Sequence, residues 1–150
     1  MGPRAAHAAE KKVEVVIEAD ELWSFVGAKR DRWWVWVALD KDTRQVVAMV
    51  AGGRDEFTAR CLWESLPAEY RDGAIVATDF LAAYRAVVPE DRHAAAGKEA
   101  GLTAHVERFW LTVRQRCARF VRKTLSFSRR WENHVGALWY FIRLYNQSRL

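Results

Sequence analysis

The stretch Val13-Glu-Val-Val-Ile-Glu-Ala-Asp-Glu-Leu-Trp-Ser-Phe-Val26 decides the fold. Its β-branched and aromatic residues predict a strand centred on residues 17–23, with Asp20 inside it. Residues 27–32 form a polar turn. The Trp- and Val-rich residues 33–39 form a second strand. Residues 40–44 are a hairpin loop, and residues 45–51 a third strand. Three strands joined by short turns make an antiparallel meander.

Downstream the pattern alternates. Asp55 is placed to cap a helix over residues 56–66, which Pro67 ends. Asp72-Gly73 is a turn, and residues 74–78 read as a short buried strand parallel to the first, ending at Asp79. A helix over residues 81–88 stops at Pro89, residues 93–96 give a fifth short strand, and residues 97–102 a loop. Thr103 and Ser128 are the expected caps of two final helices. In the second, Val135, Leu138, Trp139 and Ile142 are expected to face inward. The order βββ-α-β-α-β-α-α predicts an α/β fold. It is a ribonuclease-H-like mixed sheet of about five strands with helices on both faces. Residues 1–12 are expected to be a flexible N-terminal arm and residues 13–150 a single domain.

The helix that starts near residue 103 has two faces. Val106, Phe109, Trp110, Val113, Cys117, Phe120 and Val121 fall on one stripe at about 100° per residue, which is core. The other face carries Arg108, Arg114, Arg116, Arg119, Arg122 and Lys123, and no acid occurs between Arg108 and Arg130. Residues 102–150 hold 10 Lys and Arg against 2 acids, net +8, while residues 1–101 hold 14 against 17, net −3. That asymmetry points to a polyanion, DNA first of all, with the acids reserved for another task. Lys98, in the loop before the helix, is a further candidate phosphate contact. No apolar run reaches the ~20 residues of a membrane span, and the N-terminus has no signal-peptide core, so a cytoplasmic, nucleoid-associated location is expected. Cys61 and Cys117 read as reduced, buried thiols. No CxxC or HxxxH spacing, phosphate loop or GxGxxG motif is present.

Three carboxylates have the right setting for a hard cation. Asp20 lies in the first strand and Asp79 at the end of the fourth. Glu107 lies in the first turn of the arginine-lined helix. They are 59 and 28 residues apart and converge if the fourth strand pairs beside the first. Oxygen donors suit Mg²⁺ or Mn²⁺, and a pair of such ions serves phosphoryl transfer. Each acid also has a plainer reading. Glu107 favours the helix dipole, and Asp79 is a natural helix cap. Glu21 competes with Asp20, and strand alternation puts the two on opposite faces, so only one is expected as a ligand. His105, two residues before Glu107, is expected to point away from it.

Four segments carry a resemblance: Glu18-Ala-Asp-Glu-Leu-Trp-Ser-Phe-Val-Gly-Ala-Lys29, Arg32-Trp-Trp-Val-Trp-Val-Ala-Leu-Asp40, Ala77-Thr-Asp-Phe80 and His105-Val-Glu-Arg-Phe-Trp-Leu-Thr-Val-Arg-Gln-Arg116, continued by Val121-Arg-Lys-Thr-Leu-Ser-Phe-Ser128. In order and spacing the chain resembles the DDE transposases of the insertion-sequence-one family over residues 14–146. The resemblance implies Asp20, Asp79 and Glu107 as catalytic triad and metal ligands, with two Mg²⁺ or Mn²⁺ ions. It implies cleavage at transposon ends and joining of the 3′-hydroxyl to target DNA by a homo-oligomer. Two departures stand out. Trp110 occupies a position where the family usually has Asn, and the chain reads as the downstream frame of a frameshift fusion whose upstream part carries a zinc and helix-turn-helix region. Alternatives are a non-catalytic DNA-binding relic and a hydrolysing ribonuclease-H-like nuclease.

Overall fold

The computed structural model describes residues 14–25, 32–116 and 131–150. The expected N-terminal arm, Cys117, Arg119, Phe120, Val121, Arg122, Lys123 and Ser128 lie outside them.

Ten elements follow in chain order: β1 (Val16–Phe25), β2 (Arg32–Asp40), β3 (Val46–Gly52), α1 (Glu56–Ser65), α2 (Ala68–Gly73), β4 (Ile75–Thr78), α3 (Ala82–Val87), β5 (His93–Ala95), α4 (Ala104–Arg116) and α5 (Trp131–Gln147). Short 3₁₀ turns at Glu90–Arg92 and Lys98–Ala100 precede β5 and α4. The five strands form one sheet in the order β3-β2-β1-β4-β5. β1 to β3 are antiparallel, and β4 runs parallel to both β1 and β5. This is the mixed five-stranded α/β sheet expected, consistent with a ribonuclease-H-like fold.

Period-two alternation along β1 divides the core between the two faces. Ile17 and Ala19 pack with Trp36, Leu62, Val76 and Tyr84 on the side of α1 and α3. Leu22 packs with Val37, Leu39, Val106, Phe109 and Ile142 on the side of α4 and α5. On α4 the predicted stripe holds over its described part: Val106 and Val113 are fully buried, and Phe109 and Trp110 nearly so. Burying each such side chain contributes about 1.5–3 kcal/mol relative to leaving it exposed.

Local chemistry sets the element ends. Asp55 caps α1, its Oδ1 accepting from the Thr58 amide at 2.8 Å. A Cβ on Gly52 would meet Thr58 Oγ1 at 2.8 Å, so the glycine lets the sheet end pass close under that first turn. Asp40 Oδ1 accepts from the amides of Asp42 and Thr43 and so closes the β2–β3 hairpin, in which Arg44 has a φ of 64°.

Three expectations need correction. Residues 68–73 form the helix α2, where only a turn at 72–73 was expected. Pro67 is its N-cap, whose carbonyl accepts from the Tyr70 and Arg71 amides, so it begins α2 as well as ending α1. Trp139 is exposed, because α5 buries Leu138, Ile142 and Tyr145, and position 139 lies about 100° off that stripe. Cys61 is half-buried on α1 as a free thiol, not fully buried.

Candidate metal centre and nucleic-acid interface

The site forms where β4 runs out. The β1–β4 pairing ends at Glu18↔Ala77, and β4 itself ends at Thr78, while β1 continues seven residues further to Phe25. Asp20 and Glu21 therefore lie on a central strand whose neighbour has just stopped, and Asp79 is the first residue beyond that stop. Crevices at the carboxyl ends of parallel strands are the usual ligand sites of α/β sheets.

Carboxylate oxygens of Asp20, Glu21 and Asp79 lie within 4.8 Å of one another. The expectation that only one of Asp20 and Glu21 can join such a group is corrected. Alternation does put them on opposite faces, but no described strand pairs with β1 on this side beyond Glu18, and both carboxylates come within reach of Asp79. Asp79 also holds its turn, one oxygen accepting from the Leu81 amide at 2.9 Å, and this does not take it away from Asp20. Thr78 fixes the peptide that follows Asp79. Its hydroxyl donates to the Asp79 carbonyl at 2.7 Å and lies 2.6 Å from His93 Nε2, which must then be the donor to it.

The electrostatics are those of an acidic group only partly compensated by its neighbours. Burial, then the Glu21 charge, then Asp79 push the Asp20 carboxyl up to about 7, against partial relief from a backbone hydrogen bond and Lys98. Glu21 is raised by burial first, and its two oxygens are both engaged. One accepts from the Tyr84 hydroxyl at 2.6 Å, the other from Arg54 at 3.2 Å. Arg54 in turn lies over the Trp34 ring, 4.7 Å from its centroid.

These groups face a cleft of about 400 Å³, whose lining also includes Glu107, Arg114, Lys98 and Trp110. Glu107 is in the first turn of α4, where its Oε1 accepts from the Thr103 hydroxyl at 3.2 Å. It shares the cleft with Asp20 and Asp79 but is not one of the three carboxylates in closest mutual approach. Arg108 and Arg116 are exposed on α4 and do not line the cleft. Trp110 fills the core edge as its apolar stripe requires, and its Nε1 has no hydrogen-bond partner among the described residues.

Thr103 does not cap α4 as expected. The amides of His105 and Val106 donate instead to Glu18 Oε1 at 2.8 and 3.2 Å, and His105 Nδ1 meets Glu18 Oε2 at 2.5 Å. Sequence reading missed Glu18, Arg54 and Tyr84, and weighed Glu21 only as a competitor of Asp20. The one signal available for Glu18 was a charged residue at an inward position of a strand that is central in the sheet.

The profile of the IS1 transposase matches residues 13–146. The chain belongs to the IS1 transposase family. It is 38% identical over 128 residues to the InsB protein of insertion element iso-IS1n from Shigella dysenteriae, covering 85% of this chain and 94% of that protein. To the IS1 4 InsB protein of Escherichia coli strain K12 it is 34% identical over 132 residues, covering 88% and 76%. To the IS1 InsB protein of Shigella flexneri it is 33% identical over 130 residues, covering 87% and 95%. A DDE-type transposase function follows from that membership. No helix among the described residues is long and apolar enough to cross a membrane.

Proposed function

We propose that the chain is the catalytic domain that cleaves DNA at transposon ends and transfers the freed 3′-hydroxyl to target DNA, with Asp20, Asp79 and Glu107 as catalytic residues holding two Mg²⁺ or Mn²⁺ ions. The observation that carries this reading is the meeting of Asp20 and Asp79, 59 residues apart, in one acidic group inside a cleft that Glu107 also lines. The donor set fits the ions: it is all oxygen, and the upward shift of Asp20 marks negative charge that a cation offsets. When bound, such ions activate the attacking oxygen and stabilise charge on the leaving one.

The chain's own residues do the rest. Lys98 and Arg114 sit in the same cleft and hold phosphates beside the reacting one. Arg108 and Arg116 extend the basic face of α4 along the DNA backbone, and Arg119, Arg122 and Lys123 continue it in sequence. Arg54 and Tyr84 hold the Glu21 carboxylate, so Glu21 completes the acidic wall and is not a third freely offered ligand. End recognition falls to an upstream zinc and helix-turn-helix region supplied by frameshift fusion. The working form is a homo-oligomer on DNA, in the cytoplasm with the nucleoid.

The test uses the chain fused to its upstream region and DNA carrying the element's ends. Asp20→Asn, Asp79→Asn and Glu107→Gln should each lower Mg²⁺-dependent cleavage by about 10³-fold or more, with circular dichroism unchanged. Any of the three that cleaves within a few-fold of the parent is not a ligand.

A further inference from the structure

The helix α4 is held at its start by a residue 87 positions away. Glu18 is the one carboxylate on β1 with a fully buried side chain, and it spends both oxygens on α4. Oε1 accepts from the amides of His105 and Val106, the groups an adjacent cap would satisfy, and Oε2 takes the His105 imidazole. A simple cap needs only the amides. The added imidazole contact fixes the second oxygen, so the helix is set in rotation about its axis as well as in height. Alternation puts Glu18 and Asp20 on the same face of β1, about 7 Å apart along the strand. Glu107 is the residue after Val106. Two residues of β1 and two of α4 therefore link Asp20 and Glu107 through one buried carboxylate.

We propose that Glu18 and His105 are a positioning pair that clamps α4 to β1 and thereby sets Glu107 against Asp20 and Asp79 for cation binding. The inference rests on the site reading above. Neither residue touches the DNA or the ions. Their role is to hold the Glu107 carboxylate at the spacing that two carboxylates from a strand and a loop cannot set for it.

The experiment measures Mn²⁺ binding to the full chain by calorimetry without DNA, well below the unfolding temperature, alongside thermal unfolding. His105→Ala should weaken Mn²⁺ binding about tenfold, the scale of lost outer-shell partners. His105→Asn, whose amide nitrogen overlays Nδ1, should restore most of the affinity, and both should unfold near the parent's temperature. Glu18→Gln keeps an acceptor for the two amides, and should fold while sharing the His105→Ala loss. Parent-like Mn²⁺ binding in His105→Ala overturns the clamp. So does a loss that follows unfolding temperature and that His105→Asn fails to restore, since that is a cap and nothing more. Glu107→Gln separates the two readings. If it binds Mn²⁺ as the parent does, the site assignment itself fails and the clamp loses its object. If it weakens binding while His105→Ala does not, only the clamp fails.

Discussion

Asp20 is the residue whose environment has the most direct consequence. Its carboxyl rises from 3.8 to about 7, burial first and the Glu21 charge second. Between those values the folded chain keeps a proton that the unfolded chain has released. The Asp20 contribution to stability is therefore fully present below about pH 4 and is lost as pH rises towards 7, by at most about 4 kcal/mol. Glu21, also raised, adds to the slope in the same direction. Urea unfolding of metal-free protein across pH 4.5–7.5 should show this fall, and Asp20→Asn should flatten it while raising stability at pH 7. Parallel profiles for parent and variant would mean that the Asp20 charge is compensated. The two glutamates near Asp20 should also separate. Glu21→Gln keeps acceptance from Arg54 or Tyr84 and should slow cleavage by about tenfold. Glu107→Gln should abolish it, on the scale of a lost catalytic ligand. Equal losses would make Glu21 the third ligand.

Among elements, β3 is one edge of the sheet, and α5 covers it. The Asn146 side chain accepts from the Val46 amide at 2.8 Å and donates to its carbonyl at 3.0 Å, and the Asn146 carbonyl accepts from Gln45 Nε2 at 3.2 Å. One amide thus stands in for the missing neighbour strand at the buried start of β3. Asn146→Ala should cost about 1–3 kcal/mol, read from the urea midpoint, because a buried amide and carbonyl lose their partners together. Asn146→Asp should cost as much, since a carboxylate cannot donate to the carbonyl. A loss under about 0.5 kcal/mol in both would mean that water replaces the contact.

Over the whole molecule, charge is separated by function. Asp20, Glu21 and Asp79, all from the N-terminal two thirds, meet in one cleft, and Lys98 and Arg114 rim it. Arg114 has no acidic neighbour three or four positions away on α4, so no intrahelical pair neutralises it. Arg114→Ala should weaken DNA binding across all sequences and lower the slope of log affinity against log salt by about 1, with unfolding unchanged. A gel-shift series in which the slope equals the parent's would remove Arg114 from the phosphate contacts. The chain alone should show little sequence preference, because phosphate contacts position DNA without reading it. A strong preference for one short sequence in competition would contradict this.

By itself the sequence determined the strands, their order and the two-faced helix, because period-two and period-3.6 patterns are local consequences of burying one face. It also marked Asp20, inside the first strand, and Asp79 and Glu107, near the ends of the elements those patterns define. Only tertiary structure decided how the acids group. Glu21 reaches the cluster because β4 stops short of it, and no periodicity in β1 records where a partner strand ends. Glu107 stands on the facing wall because Glu18 anchors its helix, a bond between residues 87 apart in the chain. Trp139 turned outward for the same kind of reason: the stripe was legible, but which edge of it meets the sheet is settled by the angle at which α5 packs. Local pattern depends on neighbours in sequence, and site geometry depends on where distant elements end.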